Sequence, residues 1–522
     1  MTETQTVYAP GMGLGASRWW ALAALALSGL TIGLDTTVLN IALPDLATSL
    51  HAGTGELQWF STAYTLVVGV AMLPASNLGD RLGRKRVLVA SLVLFGAASA
   101  WCAWSTSAGE LIAARAVLGL AGAALMPLGF AMLPTLFPGR EERASAVRIW
   151  TAASTVGLPL GPIVGGYLLG HFWWGSVFVL NLPLALLGAV ALVIFLPEAR
   201  SANPVRLDVP GALLSSAGLA GLIYGFINAG QHGWGSTTTW VTILAGAVLL
   251  AAFALWERRS SHPLIELSLF GNREFSWGTV HATVANFALF GLLFAVPQFF
   301  QSVNGQSPLG SGVRLLPMIG GMVLGTQTGG AVAKRFGSRA VVAGGFVLAA
   351  IALGLAATTR VDTGYGFAAA WIAVLGLGVG LALPAAMSGA LSALSAERAG
   401  AGSGLMQALR QVGGTIGVAV LGTVLSSGYH SGLSGGNIPA SVEQTVREGV
   451  AAGVAVADQL HDGQLADLVR GAFVHGMDMA LVVSCVLVAA AAVLAFLFLP
   501  RRPKTAAPAP ADLPAGELTE VE

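Results

Sequence analysis

The segment SNLGDRLGRKRVL, residues 76–88, places four basic side chains between two long apolar stretches. Such a run is too costly to lie in the hydrocarbon core of a membrane, and short basic loops stay on the cytoplasmic side. Gly83 in its middle permits a tight turn. The segment therefore predicts a short cytoplasmic turn that joins two membrane-spanning helices.

The composition of the whole chain agrees with a membrane protein. Of 522 residues, 55% are hydrophobic and 10% are charged, whereas a soluble domain carries about 25% charged residues. Since one helical span takes about 20 apolar residues, the chain has room for about fourteen. The net charge of +1 excludes the basic surplus of a nucleic-acid-binding protein. Cys102 and Cys485 lie in separate apolar runs, which excludes a disulfide framework or a cysteine-based metal site.

Fourteen apolar stretches follow one another along the chain, and each is long enough to cross a bilayer as a helix. Transmembrane strands would be shorter and alternate with polar residues, so an all-α polytopic membrane protein is predicted. The first stretch is too long for a signal peptide and no cleavage site follows it. The limits of the stretches are 19–42, 57–78, 87–106, 110–134, 148–170, 177–197, 211–230, 238–257, 276–299, 310–333, 340–358, 367–391, 407–427 and 475–498.

The basic residues fix the orientation of these spans. With the N-terminus inside, 20 of the 26 Lys and Arg residues fall in cytoplasmic loops or tails and 3 in outer loops. A missed helix would invert every later loop, so this bias supports fourteen spans with both termini cytoplasmic. The long loop 428–474 lies outside. Helical spacing from Ser441 to Val469 predicts a helical hairpin at the outer surface, and a mobile loop is the alternative.

The turn at residues 76–88 recurs in the second half of the chain as GAVAKRFGSRAVV, residues 330–342. Each copy follows the second helix of a six-helix block if helices 7 and 8 form an inserted pair, and parallel half-repeats are typical of transporters. The predicted domains are a cytoplasmic segment 1–18, a six-helix bundle 19–197, an inserted pair with its flanking loops 198–274, a second bundle 275–500 and a disordered cytoplasmic tail 501–522.

Two opposite charges lie at similar depth in the predicted spans, Asp35 in helix 1 and Arg115 in helix 4. Ionisable residues inside a membrane are costly, which makes them candidates for function. Burial favours the neutral carboxyl, whereas a neighbouring guanidinium favours the carboxylate, so such a pair can take up and release a proton. We expect the two side chains to pair across the cavity, directly or through water. A pair that only holds two helices together is the alternative.

Seven motifs together resemble the major facilitator superfamily, and within it the fourteen-span drug:proton antiporters of the QacA type. The resemblance covers residues 15–500 and implies two six-helix bundles plus an inserted helix pair. The motifs are LDTTVLNIALPDL (34–46), DRLGRKR (80–86), LIAARAVLGLAGAALMP (111–127), GLPLGPIVGG (157–166), VFVLNLP (177–183), HPLIELSLF (262–270) and GQSPLGSGVRLLP (305–317).

The resemblance implies export of lipophilic drugs or natural products from the cell, driven by the proton gradient with no bound cofactor. It assigns proton coupling to Asp35 and Arg115, and His281, which titrates near neutral pH, is a second candidate. It assigns gating to the cytoplasmic loop residues Asp80, Arg81, Gly83, Arg84 and Lys85. The antiporter motif of helix 5 contains Gly157, Gly161, Pro162, Gly165 and Gly166.

Aromatic, apolar and polar residues of the central helices are candidates for the substrate cavity, since aromatic faces suit organic cations. By resemblance, exporters of divalent cations carry an acid in helix 10, where this chain has Gly320 and Gly321, so monovalent cationic or neutral substrates are expected. The cavity candidates are Thr36, Asn40, Trp59, Tyr64, Met126, Trp150, Asn286, Phe287, Phe290, Gln327 and Met387.

Several other classes of protein are not expected. The sequence has no Walker motif and no catalytic constellation, so neither an ATP-driven pump nor an enzyme is predicted. The expected partners are lipophilic small molecules, protons and the bilayer of the cell membrane, without nucleic acid, and the expected state is a monomer. An exporter of an endogenous metabolite or lipid with the same machinery is the alternative function.

Overall fold

The computed structural model describes residues 17–200, 208–260, 263–394, 396–434, 436 and 438–499. Most of the predicted N-terminal segment 1–18 and the predicted tail 501–522 lie outside the described residues. The described chain is built from helices, and each predicted span coincides with one long helix.

The helices are numbered α1 to α14 in chain order, and α6 and α10 are each made of two consecutive segments. Thirteen of them are long and apolar enough to cross a membrane, and the other, α5, packs along α1. Their bounds are α1 Ser17–Ser49, α2 Thr54–Leu82, α3 Arg84–Ala103, α4 Ala108–Leu136, α5 Arg140–His171, α6 Ser176–Val179 with Asn181–Phe195, α7 Val209–His232, α8 Thr237–Arg259, α9 Arg273–Gln298, α10 Pro308–Arg314 with Leu316–Phe336, α11 Ser338–Ala356, α12 Tyr365–Ser392, α13 Ala396–Leu433 and α14 Gly463–Phe498.

The two halves share the same turn geometry where the sequence repeats. Gly83 ends α2 with a φ of 111° and Gly337 ends α10 with a φ of 85°. Each glycine N–H donates to a carbonyl of the preceding turn, that of Gly79 or Ala333. Because a side chain is strained at such φ values, both turns require glycine. The internal repeat predicted from the two loops therefore corresponds to equivalent backbone turns in the two halves.

The helix pair α7–α8 lies against the place where the two bundles meet. The Thr423 hydroxyl on α13 donates to the Phe226 carbonyl on α7 at 2.6 Å, and Ser426 donates to Gly230 at 3.1 Å. Helix α8 packs on α7 and buries little of its surface. The pair therefore lies at the periphery, beside the contact of α2 with α13.

The loop predicted to lie outside differs from the predicted hairpin. It contains two short helices, Glu443–Glu448 and Val450–Leu460. The rest of the predicted hairpin belongs to α14, because the Asp462 side chain accepts a hydrogen bond from the Leu465 N–H at 3.0 Å and starts that helix. The first short helix ends at the N-terminus of α2, where the Thr54 hydroxyl donates to the Glu448 carbonyl at 3.0 Å. The loop thus joins the two halves at the ends predicted to lie outside.

Candidate functional site

Asp35 and Arg115 form a direct ion pair inside the N-terminal bundle. Asp35 Oδ2 lies 2.8 Å from Arg115 Nη1, and the two side chains are 0% and 1% exposed. A buried charge is tolerated when it is paired and hydrogen-bonded. The pair meets this condition, because further polar groups contact both partners.

Those further contacts come from α6 and α2, and α3 joins them through Asn181. Asn181, at the start of the second segment of α6, donates from Nδ2 to Asp35 Oδ1 at 2.9 Å and to Ser99 on α3 at 3.2 Å. Arg115 Nε donates to the carbonyl of Phe60 on α2 at 3.1 Å. Both carboxylate oxygens are therefore held by donors, and the network ties α1 to α4, α6, α3 and α2.

Aromatic rings complete the surroundings of the guanidinium. Arg115 Cζ lies 4.5 Å from the centre of the Tyr64 ring and 5.9 Å from that of Phe178. These distances suit cation–π attraction, which is strongest where water is excluded. Tyr64, predicted as a cavity residue, is 1% exposed in this structure and stacks on Arg115.

The expectation of a pair across the central cavity was wrong in one respect. The pair is direct, but it lies within the N-terminal bundle, because Asp35 contacts α4 and α6 of the same half. A proton or substrate can reach this carboxylate only when the surrounding helices move or admit water.

The glycines of α5 fit closely against the turn of α1 that carries Asp35. A methyl group on Gly157 would lie 2.6 Å from the Leu30 carbonyl oxygen. One on Gly161 would meet the Thr37 hydroxyl and lie 3.0 Å from the Leu34 carbonyl oxygen. Small residues allow helices to approach each other this closely. The position of Asp35 is therefore coupled to the position of α5.

The end of the same motif contacts the C-terminal half. A methyl group on Gly166 would lie 2.6 Å from the Cα of Leu309, at the start of α10. On the other side of this contact, Gly312 packs against the carbonyl of Pro162. Gln301, which follows α9, donates to the Ile41 carbonyl on α1 at 2.9 Å. These contacts close the gap between the two halves on the side predicted to be outer. Helix α5 thus links the Asp35 turn to the C-terminal half.

Three residues of the predicted gating loop, Asp80, Arg84 and Lys85, make contacts within the N-terminal half. Asp80 pairs with Arg84 at 2.8 Å, and Arg84 donates to the carbonyl of Ala131 on α4 at 3.0 Å. The Lys85 side chain donates to the Val193 carbonyl on α6 at 2.7 Å. Gly83 provides the turn described above, and Arg81 lies in the last turn of α2. A role of this loop in locking the two halves together stays a prediction.

Glu198, which the sequence argument did not single out, anchors this loop. Its Oε1 accepts a hydrogen bond from the Lys85 backbone N–H at 3.2 Å, and its Oε2 lies 3.5 Å from Arg86 Nε. The carboxylate follows α6 directly and faces the Gly83 turn. It therefore connects the end of α6 to the start of α3.

Replacing Glu198 with Ala is expected to destabilise the protein by about 1 kcal/mol, since a backbone donor loses its acceptor. The measurement is the thermal midpoint in detergent, together with the rate of trypsin cleavage after Lys85 and Arg86. Glu141→Ala removes an exposed carboxylate in the first turn of α5 and serves as the control. Equal midpoints and cleavage rates for the two variants would show that Glu198 does not anchor the loop.

His281 lies away from the Asp35 pair, within the C-terminal half. It is 0% exposed, and its ring nitrogens face the carbonyls of Trp277 on α9 and Ala491 on α14. The ring also lies 5.4 Å from that of Phe346 on α11. Both contacts are hydrogen bonds only when both ring nitrogens carry protons. Its role as a second proton site stays a prediction.

The other predicted cavity residues occupy several environments. Asn40, Trp150 and Asn286 are buried, and Gln327 is exposed. The half-buried members are Thr36, Trp59, Met126, Phe287, Phe290 and Met387.

Some of these residues meet other named groups. Asn286 and Phe290 on α9 both lie next to Gly414 of α13. Trp59 faces Tyr224 of the inserted pair, with ring centres 6.4 Å apart. The structure thus brings the α9 candidates together against α13, and it places Trp59 at the periphery.

Comparison with known proteins places the chain in a family. The model of the Major Facilitator Superfamily matches residues 25–418. The chain is 34% identical to the tetracenomycin C resistance and export protein of Streptomyces glaucescens, over 71% of this chain and 69% of the relative. It is 33% identical to the methyl viologen resistance protein SmvA of Salmonella typhimurium, over 71% and 75%. It is 34% identical to the multidrug efflux pump LfrA of Mycolicibacterium smegmatis, over 70% and 72%.

Solved structures support the same fold. A bacterial homologue of the human lysosomal transporter Spinster, in an inward-facing and unoccupied conformation, superposes with a TM-score of 0.65 at 18% identity, over 94% of this chain and 99% of that one. The nucleoside transporter NupG gives a TM-score of 0.59 at 13% identity, over 91% and 100%. With its two helical halves and its matched family model, the chain is a multi-pass membrane protein that belongs to the Major Facilitator Superfamily.

Proposed function

We propose that this protein exports lipophilic small molecules from the cell in exchange for protons, and that Asp35 carries the proton. The observation that carries the proposal is the buried Asp35–Arg115 pair beside the glycines of α5. A charge pair fully enclosed in the membrane is a functional candidate by its cost alone. The printed names of the relatives, which include an export protein and a multidrug efflux pump, support export as the direction.

In the proposed mechanism, protonation of Asp35 weakens its attraction to Arg115. The neutral carboxyl no longer balances the guanidinium, so α1 and α4 lose much of the interaction that holds them together. Because α5 fits closely on α1 and also contacts α10, a shift of the Asp35 turn reaches the C-terminal half. Proton binding would in this way favour one of the two conformations of an alternating-access cycle.

The contacts between the halves at their predicted outer ends support an early stage of the cycle. Because these contacts close the side predicted to be outer, we assign the structure to the state that receives substrate from the cytoplasm or the inner leaflet. Substrate then leaves on the outer side after the switch, when Asp35 takes up a proton there. The protein would work without a cofactor, as a monomer in the cell membrane with both termini cytoplasmic.

The proton gradient supplies enough free energy for this exchange. One charge that moves inward gains about 2.3 kcal/mol per 100 mV, and each pH unit adds about 1.4 kcal/mol. One proton could therefore support a substrate gradient of roughly ten- to several hundred-fold.

At helix 10, Gly320 and Gly321 supply no carboxylate. We therefore propose monovalent cationic or neutral lipophilic molecules as the substrates.

Efflux of a fluorescent lipophilic cation from cells tests this function. Cells that express the protein are loaded with the dye and compared with the proton gradient intact and after an ionophore has collapsed it. We expect efflux to stop when the gradient collapses. Efflux that continues at the same rate without the gradient would contradict proton-driven exchange.

A further inference from the structure

A second intramembrane arginine, Arg410 on α13, has no counter-charge. Its Nη1 contacts the sulfur of Met387 on α12 at 3.6 Å, and its Nε is buried without a hydrogen-bond partner. Across the described residues, no carboxylate lies within ion-pair distance of it. The residue as a whole is only half-buried.

The contrast with Arg115 shows what Arg410 lacks. Arg115 is neutralised by Asp35, donates to the Phe60 carbonyl and stacks on Tyr64. In the part of the chain that the structure describes, Arg410 has no carboxylate, carbonyl or aromatic ring in these roles. The cost of burying an unpaired cation in the membrane is the same in both halves of the protein. The missing partner can be supplied by a bound molecule.

The neighbours of Arg410 belong to the predicted substrate cavity. Asn286 on α9 donates from Nδ2 to the Arg410 carbonyl at 3.1 Å, and Met387 contacts its guanidinium. Gln407 lies one turn earlier on α13, and its Oε1 is buried without a donor. Two unsatisfied polar groups, one donor and one acceptor, thus lie within one turn of the same helix among residues of α9 and α12.

We propose that Arg410 binds an acidic oxygen of the exported molecule, such as a carboxylate or a phenolate, and that Gln407 accepts a hydrogen bond from a hydroxyl or N–H group beside it. A guanidinium presents donors in a geometry that suits carboxylates. This inference rests on the proposed function, and it adds lipophilic acids and zwitterions to the cations and neutral molecules proposed above.

Binding to the purified protein tests the inference without any transport step. The probes are a lipophilic xanthene dye that carries one carboxylate and the methyl ester of the same dye, measured by fluorescence polarisation at constant pH. We expect the wild-type protein to bind the acid about tenfold more tightly than the ester, which corresponds to about 1.4 kcal/mol. Arg410→Met should bind the two dyes equally, and Arg410→Lys should keep part of the preference.

Arg314→Met is the matched control, because Arg314 lies 5.1 Å from the Tyr365 ring at the outer start of α10. It should leave the preference for the acid unchanged. Thermal melting of each variant shows whether it is folded. The ratio of acid to ester binding by the wild-type protein does not depend on the folding of any variant. Equal binding of acid and ester by the wild type, or a preference that survives Arg410→Met, would overturn the inference. Failure of the proposed function would instead appear in the cell experiment, which this binding assay does not use.

Discussion

Replacing Asp35 with Asn is expected to abolish proton-driven efflux. The amide cannot exchange a proton with water in the way the carboxyl does, and it leaves the Arg115 guanidinium buried without a counter-charge. Removal of one partner of a buried pair costs about 3–5 kcal/mol. The measurements are efflux in proteoliposomes with an imposed pH gradient and the thermal midpoint of the purified variant.

The double variant Asp35→Asn with Arg115→Met separates coupling from stability. It lacks both charges, so it should regain much of the lost thermal stability but none of the proton-driven efflux. If the double variant also regained efflux, the pair would be only a structural connection between α1 and α4. Coupling would then have to be assigned to another residue.

Replacing Gly161 with Ala is expected to have the second-largest effect. The added methyl group would meet the Thr37 hydroxyl and the Leu34 carbonyl, so α5 and α1 must separate. Overpacking of this kind costs about 1–3 kcal/mol, and here it also displaces the turn that holds Asp35. We expect a lower thermal midpoint and strongly reduced efflux in the same two assays.

Gly170 on the same helix provides a control with the opposite expected sign. A methyl group there would have no neighbour within 4 Å. Gly170→Ala should therefore leave efflux unchanged and stabilise the helix slightly, by up to about 1 kcal/mol. If the two alanine variants behaved alike, the close approach of α5 to α1 would not be what Gly161 provides.

The positions of the helices and the principal charges could be predicted from the sequence because charges are scarce in this chain. A basic loop can lie on one side only, so each loop constrains its neighbours. Asp35 and Arg115 stood out in the same way, because apolar residues surround them in the sequence. The turn at Gly83 and its counterpart at Gly337 followed from the internal repeat.

Asn181 could not be predicted as a partner of Asp35. The amide is uncharged, so it does not stand out in an apolar sequence as Asp35 does. Its position in VFVLNLP is equally compatible with a loop and with the end of a helix. In the structure Asn181 begins the second segment of α6 and donates to Asp35. The motif itself was the one available signal, because a polar residue in an apolar run needs a partner.

The outer loop was misread for a related reason. Amphipathic spacing continues from the loop into the last membrane helix. The pattern therefore indicates helical structure, but it does not indicate where one helix ends and the next begins. Asp462 sets that boundary through the hydrogen bond from Leu465 N–H, a cap that also fits many loop positions.

Proton movement driven by substrate tests the central claim most directly. Purified protein is reconstituted into liposomes that contain a pH-sensitive dye, and an exported cation is added on one side with no initial pH gradient. We predict that the wild-type protein moves protons in the direction opposite to the substrate, and that Asp35→Asn, tested in the Arg115→Met background for stability, moves none. Proton movement that persists in this variant would contradict the assignment of Asp35 as the proton carrier.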